Sequence, residues 1–568
     1  MRAALLLLLV ATVSNVVAMA TDNEIQLRPR STRTEPAVAR NGMIATSEPL
    51  AVETGLRILK QGGNAVDAAI AAGAMIGLTE PMSCGIGGDL FAIVWDAKTQ
   101  KLYGLNASGR APYAATIEEY RRRGHRYVPI RGPLSWTVPG CVDGWAELHR
   151  KFGSMPWAEL FEPAIQAAEN GFPVAPKIAR AWAASRNLLR QWETSANTYL
   201  PNGRAPRAGE LFRNPDLART YRLIASGGRD AFYRGPIAER IVAESRRLGG
   251  LFTLKDFEDH RSTWVEPVST TYKGYTVWEL PPNGQGIAVL QMLNILEGFD
   301  LKSMGHNTAE YLHVLIETKK IVFEDRAAYY ADPEFADVPI AALISKKYAA
   351  HRRRLIDLNR ARLEVPLEDP RLVVSDTIYM TVVDKDRNCV SYIQSNYYGF
   401  GSGIVPDGLG FCLQNRGALF ALDPKHPNCL QPHKRPFHTI IPAFVTREGK
   451  PGFCFGVMGG DMQPQGQVQV LLNMIEFGMD PQKAGAAPRF CHFGSSTPRA
   501  DHHMTDGGRV GLEHGIGEEV RQGLRRKGHT LLPPGGAFGG FQGILIDHKR
   551  GLLIGGSEVR KDGYAAGY

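Results

Sequence analysis

Asp376-Thr377-Ile378-Tyr379-Met380-Thr381-Val382-Val383, followed by Asp384-Lys385-Asp386-Arg387-Asn388 and then Cys389-Val390-Ser391-Tyr392-Ile393-Gln394-Ser395, reads as two strands joined by a turn. β-Branched and aromatic residues fill both arms, and residues 384–388 have hairpin-turn composition. If Val383 opposes Cys389, an antiparallel register carries Thr377 opposite Ser395, with Cβ atoms about 4.5 to 5.5 Å apart on one face. Two hydroxyls then meet at the open end of the hairpin. On the hairpin alone, an ordinary Thr/Ser cross-strand pair accounts for them. A second reading follows if the backbone is cut before Thr377. A threonine at a new N-terminus carries its own general base, because its α-amine lies within reach of its hydroxyl.

Upstream of this hairpin the chain is helix-rich. Apolar spacing predicts a helix over residues 49–60, with Pro49 in the first turn and Gly62-Gly63 at the stop, and a second, Ala- and Gly-rich buried helix from about residue 64 to 78. Residues 147–171 read as two helices joined near Gly153, and residues 286–296 and 309–330 as two more. Residues 276–280 form a short strand closed by Pro281-Pro282-Asn283-Gly284. Residues 359–376 mix Arg, Glu, Pro and Val without periodicity and read as a linker. Downstream the texture turns to strands, expected over residues 378–383, 389–395, 439–445, 453–457, 543–546 and 552–555.

The composition excludes several classes. A chain of 568 residues with 44% hydrophobic content is globular, neither disordered nor fibrous. The net charge of +9 is scattered apart from Arg121-Arg122-Arg123 and Arg352-Arg353-Arg354, which read as solvated helix faces, and no nucleic-acid motif accompanies them. Residues 1–20 read as a signal peptide: Arg2, an apolar run from Ala3 to Val13, then Ala18 and Ala20 in the minus-three and minus-one places of a cleavage site. A secreted or periplasmic protein follows, or a cytoplasmic one if this stretch is not a signal. The run is too short for a stable membrane anchor. The seven cysteines are irregularly spaced, contain no C-x-x-C pair and read as buried fillers. Cys491, His492, Asp501, His502 and His503 match no zinc spacing, so neither a metal nor a cofactor is expected.

Five motifs occur in order along the chain: Gly62-Gly63-Asn64-Ala65-Val66-Asp67-Ala68-Ala69, Gly85-Ile86-Gly87-Gly88-Asp89, Asp376-Thr377, Lys434-Arg435-Pro436 and Gly459-Gly460. None is specific alone, but the ordered set resembles the gamma-glutamyltransferases, N-terminal-nucleophile hydrolases. The resemblance implies a mixed α/β four-layer αββα sandwich and self-cleavage before Thr377. A large chain, residues 21–376, and a small chain, residues 377–568, would then fold together. It implies Thr377 as nucleophile, Ser395 as the hydroxyl that orients it, and Gly459-Gly460 as the oxyanion hole. The partner is a small amide. An α-amine with an unperturbed pKa of about 7.7–8.0 suits a general base near neutral pH.

The resemblance is closest to the gamma-glutamyltransferase-like branch that includes oxamate amidohydrolase. Where the family places an arginine for the glutamyl carboxylate this chain has Ser108, and Ala418-Leu419 stand where an acidic residue would hold the amino group. His438 and Thr439 replace a serine pair. Arg110 and Arg416 are the cations expected to hold a substrate carboxylate, with a structural ion-pair role the alternative for either. Asn396, His438 and Thr439 are expected at the substrate or in the loops beside it, His438 as a hydrogen-bonding wall residue rather than a base. The implied activity is cleavage of a gamma-glutamyl or other small carboxylate-bearing amide. A full transferase acting on amino acids or dipeptides and an uncleaved binding homologue are the alternatives.

Overall fold

In the computed structural model, which describes residues 34–364, 376–533 and 535–568, two seven-stranded antiparallel sheets lie face to face. The sheet that carries the hairpin runs, in spatial order, Tyr564–Gly567, Met43–Thr46, Asp376–Val383, Cys389–Tyr397, Asp89–Asp96, Lys101–Ala107 and Thr263–Val265. The other runs Ala37–Ala39, Leu552–Ser557, Gly540–Asp547, Lys450–Met458, Ala443–Arg447, Tyr275–Glu279 and Val268–Tyr272. A core including Met43, Phe91, Ile93, Tyr379, Ile393, Phe444, Met458 and Ile544 fills the space between them. Helices Pro49–Lys60, Ala65–Thr79 and Cys141–Phe152 cover the outer face of the first sheet. Helices Ile287–Leu296, Ala309–Tyr329 and Met462–Ile475 cover that of the second. The result is the four-layer αββα sandwich expected.

Strands buried on both faces lose alternation and read as continuous apolar runs. Asp89–Asp96, with the sequence DLFAIVWD, is such a strand, central in its sheet and buried along almost its whole length. The sequence reading left it and Lys101–Ala107 unassigned. The expected strand over residues 439–445 begins only at Ala443. Its first residues are diverted instead: the His438 N–H donates to Asn283 O at 2.8 Å and the Ile441 N–H to Gln463 Oε1 at 3.0 Å. The helices over residues 49–60, 65–79, 287–296 and 309–329 form within a few residues of their expected bounds. Asn64 caps the second of these with a full capping box closed by Asp67.

All seven cysteines are buried and none forms a disulfide, as fillers would be. The signal-peptide reading of residues 1–20 and most of the linker reading fall outside the described residues. Among the described residues no helix is long and apolar enough to cross a membrane.

The sheets approach closely under the hairpin. A Cβ built at Gly456 would stand 2.4 Å from the Tyr379 ring, so only glycine fits opposite that tyrosine. Gly456→Ala is expected to lower stability by about 1–3 kcal/mol through overpacking. A drop in the thermal midpoint without loss of the overall circular dichroism spectrum is the measurement.

Candidate active site

The hairpin register runs Val383↔Cys389 to Ile378↔Gln394, as the spacing of the two strands predicts. It then slips, so that Asp376 pairs with Tyr397 and Thr377 faces Ser395 and Asn396 across a β-bulge. Thr377 Oγ1 lies 3.2 Å from Ser395 Oγ, and both residues are buried. The Tyr397 N–H donates to Ser395 Oγ at 2.9 Å. With that lone pair taken, the serine hydroxyl is oriented by backbone rather than by a mobile side chain. The bulge thus re-aims the strand end so that the two hydroxyls converge. Asn396 braces it from behind: its N–H donates to Ser83 O at 3.0 Å and its Nδ2 to Pro81 O at 3.3 Å. That is the loop-positioning half of its expected role.

Gly459 and Gly460 end the strand Lys450–Met458 with φ of +117° and +56°. A β-carbon disfavours both conformations. Their carbonyls accept from the Met462 and Gln463 N–H groups, opening the helix Met462–Ile475. Among the described residues neither glycine N–H has an acceptor. The pair therefore sits at a helix N-terminus with two amide donors available, a geometry suited to a developing oxyanion.

Arg416 is fully buried, with its guanidinium 4.4 Å from the centre of the Tyr397 ring. Nη1 donates to Thr439 Oγ1 at 2.7 Å, while Nε and Nη2 have no acceptor among the described residues. Burial lowers its pKa to about 10, and Asp89 partly offsets that. A buried guanidinium with two unused donors is costly unless an anion completes it. Arg110 behaves differently. Its Nη2 donates to both carboxylate oxygens of Glu334 at 2.9 Å and its Nη1 to His433 O at 3.1 Å, and Arg435 joins the same carboxylate at 3.0 Å. Arg110 sits in the ion pair that was its structural alternative, because Glu334 and the His433 carbonyl occupy both terminal nitrogens.

His438 Nδ1 accepts from the Ile440 N–H, so Nε2 carries the proton and donates to Asp89 Oδ2 at 3.0 Å. Burial first, then Arg416, push its pKa well below the usual histidine value, so the contact is a hydrogen bond from a neutral ring and not an ion pair. Asp89 Oδ1 accepts from Gln414 Nε2 and the Gly109 and Gly140 N–H groups at 2.8–3.2 Å. Burial raises its carboxyl to about 7 against the pull of Arg416 and these donors. Asp89 thereby ties together four separate stretches of chain beneath the site. The sequence reading held Asp89 only as the end of a motif and missed Tyr397, Gln285, Arg326 and Asp461. One signal was present: two of the three Gly-Gly motifs, 87–88 and 459–460, are followed by aspartate.

A pocket at this end of the hairpin is lined by Tyr397, Thr439, Gly460, Asp461, Arg326 and Arg499, among others. Of the histidine and cysteine residues set aside for a metal, His492 accepts from Lys319 and contacts Gly507 O, and Cys491 accepts from Gln465. Among the described residues the grouping with metal-compatible spacing is His313, Glu317 and His529. There the two rings hydrogen-bond each other at 2.7 Å and Lys320 neutralises Glu317.

Two stacked antiparallel sheets between helical layers, with a threonine–serine pair at the end of a central hairpin, define the N-terminal-nucleophile hydrolase architecture. The model of the gamma-glutamyltranspeptidase family matches residues 51–568, and the chain belongs to that family. It is 40% identical over 529 residues to the glutathione hydrolase-like YwrD proenzyme of Bacillus subtilis, covering 92% of this chain and 98% of the relative. It is 36% identical to the oxamate amidohydrolase proenzyme of Klebsiella pneumoniae, covering 94% and 99%. The crystal structure of a cephalosporin acylase from Bacillus halodurans superposes with a TM-score of 0.87 at 42% identity, covering 96% and 98%.

Because His438 stays neutral far below its ordinary range, no limb of the pH–activity profile between about pH 5 and 8 belongs to it. His438→Gln, which can still donate to Asp89, is expected to leave the acid limb where it is. Loss or displacement of that limb in the variant would make His438 the base.

Proposed function

We propose that this chain is a proenzyme that cuts itself between Asp376 and Thr377, and that the exposed threonine then hydrolyses small amides whose acyl part carries a carboxylate. One observation carries the reading: two buried hydroxyls 3.2 Å apart at the bulged end of a central hairpin, on the threonine that a cut would place at a new N-terminus. In self-cleavage the Thr377 hydroxyl attacks the Asp376 carbonyl carbon. The C–N bond breaks, the proton passes to the departing amine, and water opens the resulting ester to leave an Asp376 carboxylate and a free Thr377 amine. In turnover the same oxygen attacks the substrate amide, with the α-amine taking the proton and returning it to the leaving amine. Ser395 steadies the nucleophile. The Gly459 and Gly460 N–H groups receive the oxyanion, where one such donor is worth about 3–4 kcal/mol.

Arg416 supports the carboxylate specificity. Its two unused donors lie beside Tyr397, whose backbone pairs with Asp376 next to Thr377, which puts an unsatisfied cation at the same end of the hairpin as the threonine. The positions that read a glutamyl head in the family give no such support: Ser108 hydrogen-bonds Asn106, and Ala418 and Leu419 are buried and apolar. The leader-like residues 1–20 favour an exported protein.

Wild-type protein should run as two bands on a denaturing gel, the smaller beginning at Thr377 by N-terminal sequencing, and Thr377→Ala as one. A single wild-type band sinks the proposal. In a panel of chromogenic amides, succinyl and glutaryl derivatives should exceed their methyl esters, and Arg416→Met should erase that preference by roughly tenfold or more, mainly through KM. Acceleration by glycylglycine would show transfer in addition to hydrolysis.

A further inference from the structure

The residue that follows the glycine pair is an aspartate, and its charge is a problem for the chemistry beside it. Asp461 directly follows Gly460 and lines the same pocket, so its carboxylate borders the place where the two N–H groups would receive an oxyanion. A fixed negative charge there raises the energy of a second one forming beside it. The side chain is half exposed on the pocket wall, and although desolvation opposes ionisation, Arg326 holds its pKa below the usual carboxylate value. It is therefore charged whenever the enzyme works.

Arg326 is built to answer that charge. Only 1% of its side chain is exposed, and it meets Asp461 bidentately, Nη1 to Oδ1 at 2.7 Å and Nη2 to Oδ2 at 3.2 Å. Its guanidinium is stacked 3.8 Å from the Phe323 ring centre, with Phe437 at 5.4 Å. Nη1 also donates to Gln285 Oε1 at 2.6 Å, which turns the Gln285 amide so that Nε2 donates to both Thr439 O at 2.7 Å and Gly460 O at 3.0 Å. Holding the Gly460 carbonyl fixes the plane of the peptide between Gly460 and Asp461, which anchors the far side of the glycine turn while the proposed donors lie in the two peptides before it. The other cation that Asp461 feels is Lys319, which burial, followed by Arg326, brings down to about 7. Arg326 is thus the permanent counter-charge.

We propose that Arg326 is a positioning residue for acyl transfer at Thr377. It cancels the Asp461 charge next to the oxyanion hole and, through Gln285, holds the glycine turn in the conformation that presents its N–H groups. This rests on the glycine pair being the oxyanion hole, as proposed above. Arg326 touches no reacting atom. Its effect falls on kcat, because the charge it cancels matters most when the oxyanion forms.

The test is a double-mutant cycle on the processed enzyme, with the best amide of the panel as substrate. Arg326→Gln should lower kcat by roughly a hundredfold with little change in KM, since it leaves Asp461 unneutralised. Arg326→Gln with Asp461→Asn should recover at least tenfold of that loss, because the offending charge is gone. Arg326→Lys should fall between wild type and Arg326→Gln, keeping the charge but not the fork. Should a variant remain uncut, its rate of self-cleavage on a denaturing gel replaces turnover, since the same hydroxyl makes the same kind of tetrahedral intermediate. A merely structural role for Arg326 predicts a double variant no faster than the single one, with both thermal midpoints lowered, and that result overturns the proposal. So does a change of less than threefold in Arg326→Gln. A wild-type chain that never cuts would instead overturn the reading of Thr377 itself.

Discussion

Antiparallel pairing between residues 376–383 and 389–397 decides where the chemistry can sit. Ladder hydrogen bonds fix side chains in register along the hairpin, and because side chains alternate faces, a slip of one residue would send Thr377 to the other side of the sheet. The slip that does occur is confined to the last pair, as a bulge that lets Thr377 meet Ser395 while Tyr397 closes on Asp376. The flanking strands Met43–Thr46 and Asp89–Asp96 lock the hairpin from both sides. The helix-covered second sheet presses on it through Gly456. Thr377 is therefore held by a rigid scaffold rather than by a loop.

Beneath it lies a layer of buried charge that must be satisfied internally. Asp89 gathers His438, Gln414 and two glycine amides, and its carboxylate faces the Arg416 charge without a direct hydrogen bond. Buried charge of this kind contributes little net stability, since desolvation offsets attraction. It serves geometry here: each partner comes from a different stretch of chain, and all of them converge under one pocket. The incomplete pairing of Arg416 stands out in that layer because it leaves two donors of a buried charged group unused.

The hairpin, most of its register and the helices over residues 49–60, 65–79, 287–296 and 309–329 were legible in the sequence because their signals are local: turn composition, 3.6-residue spacing, caps. The strand Asp89–Asp96 was not, because burial on both faces removes alternation. Residues 439–442 read as strand because of their apolar character, but the backbone here bonds outside any ladder, the His438 N–H to Asn283 O and the Ile441 N–H to Gln463 Oε1. Arg110 and Arg416 looked alike as cations near motifs. Only three-dimensional contact separates them, since Glu334 lies more than two hundred residues from Arg110. Arg326, in the last turn of the long helix Ala309–Tyr329, carried no local mark of its contact with Asp461.

The strand order has a consequence for what a cut at residue 376 leaves behind. In both sheets strands from before and after that point interleave: Met43–Thr46 lies between Tyr564–Gly567 and Asp376–Val383, and Ala443–Arg447 pairs with Tyr275–Glu279. Two such pieces cannot part without unzipping both sheets, so dilution alone does not separate them. Once unfolded, they would have to find each other again as separate molecules, a search the single chain never faced. For a chain cut there, endurance would rest on how slowly it unfolds, since the return is harder than for one chain, a kinetic rather than an equilibrium property.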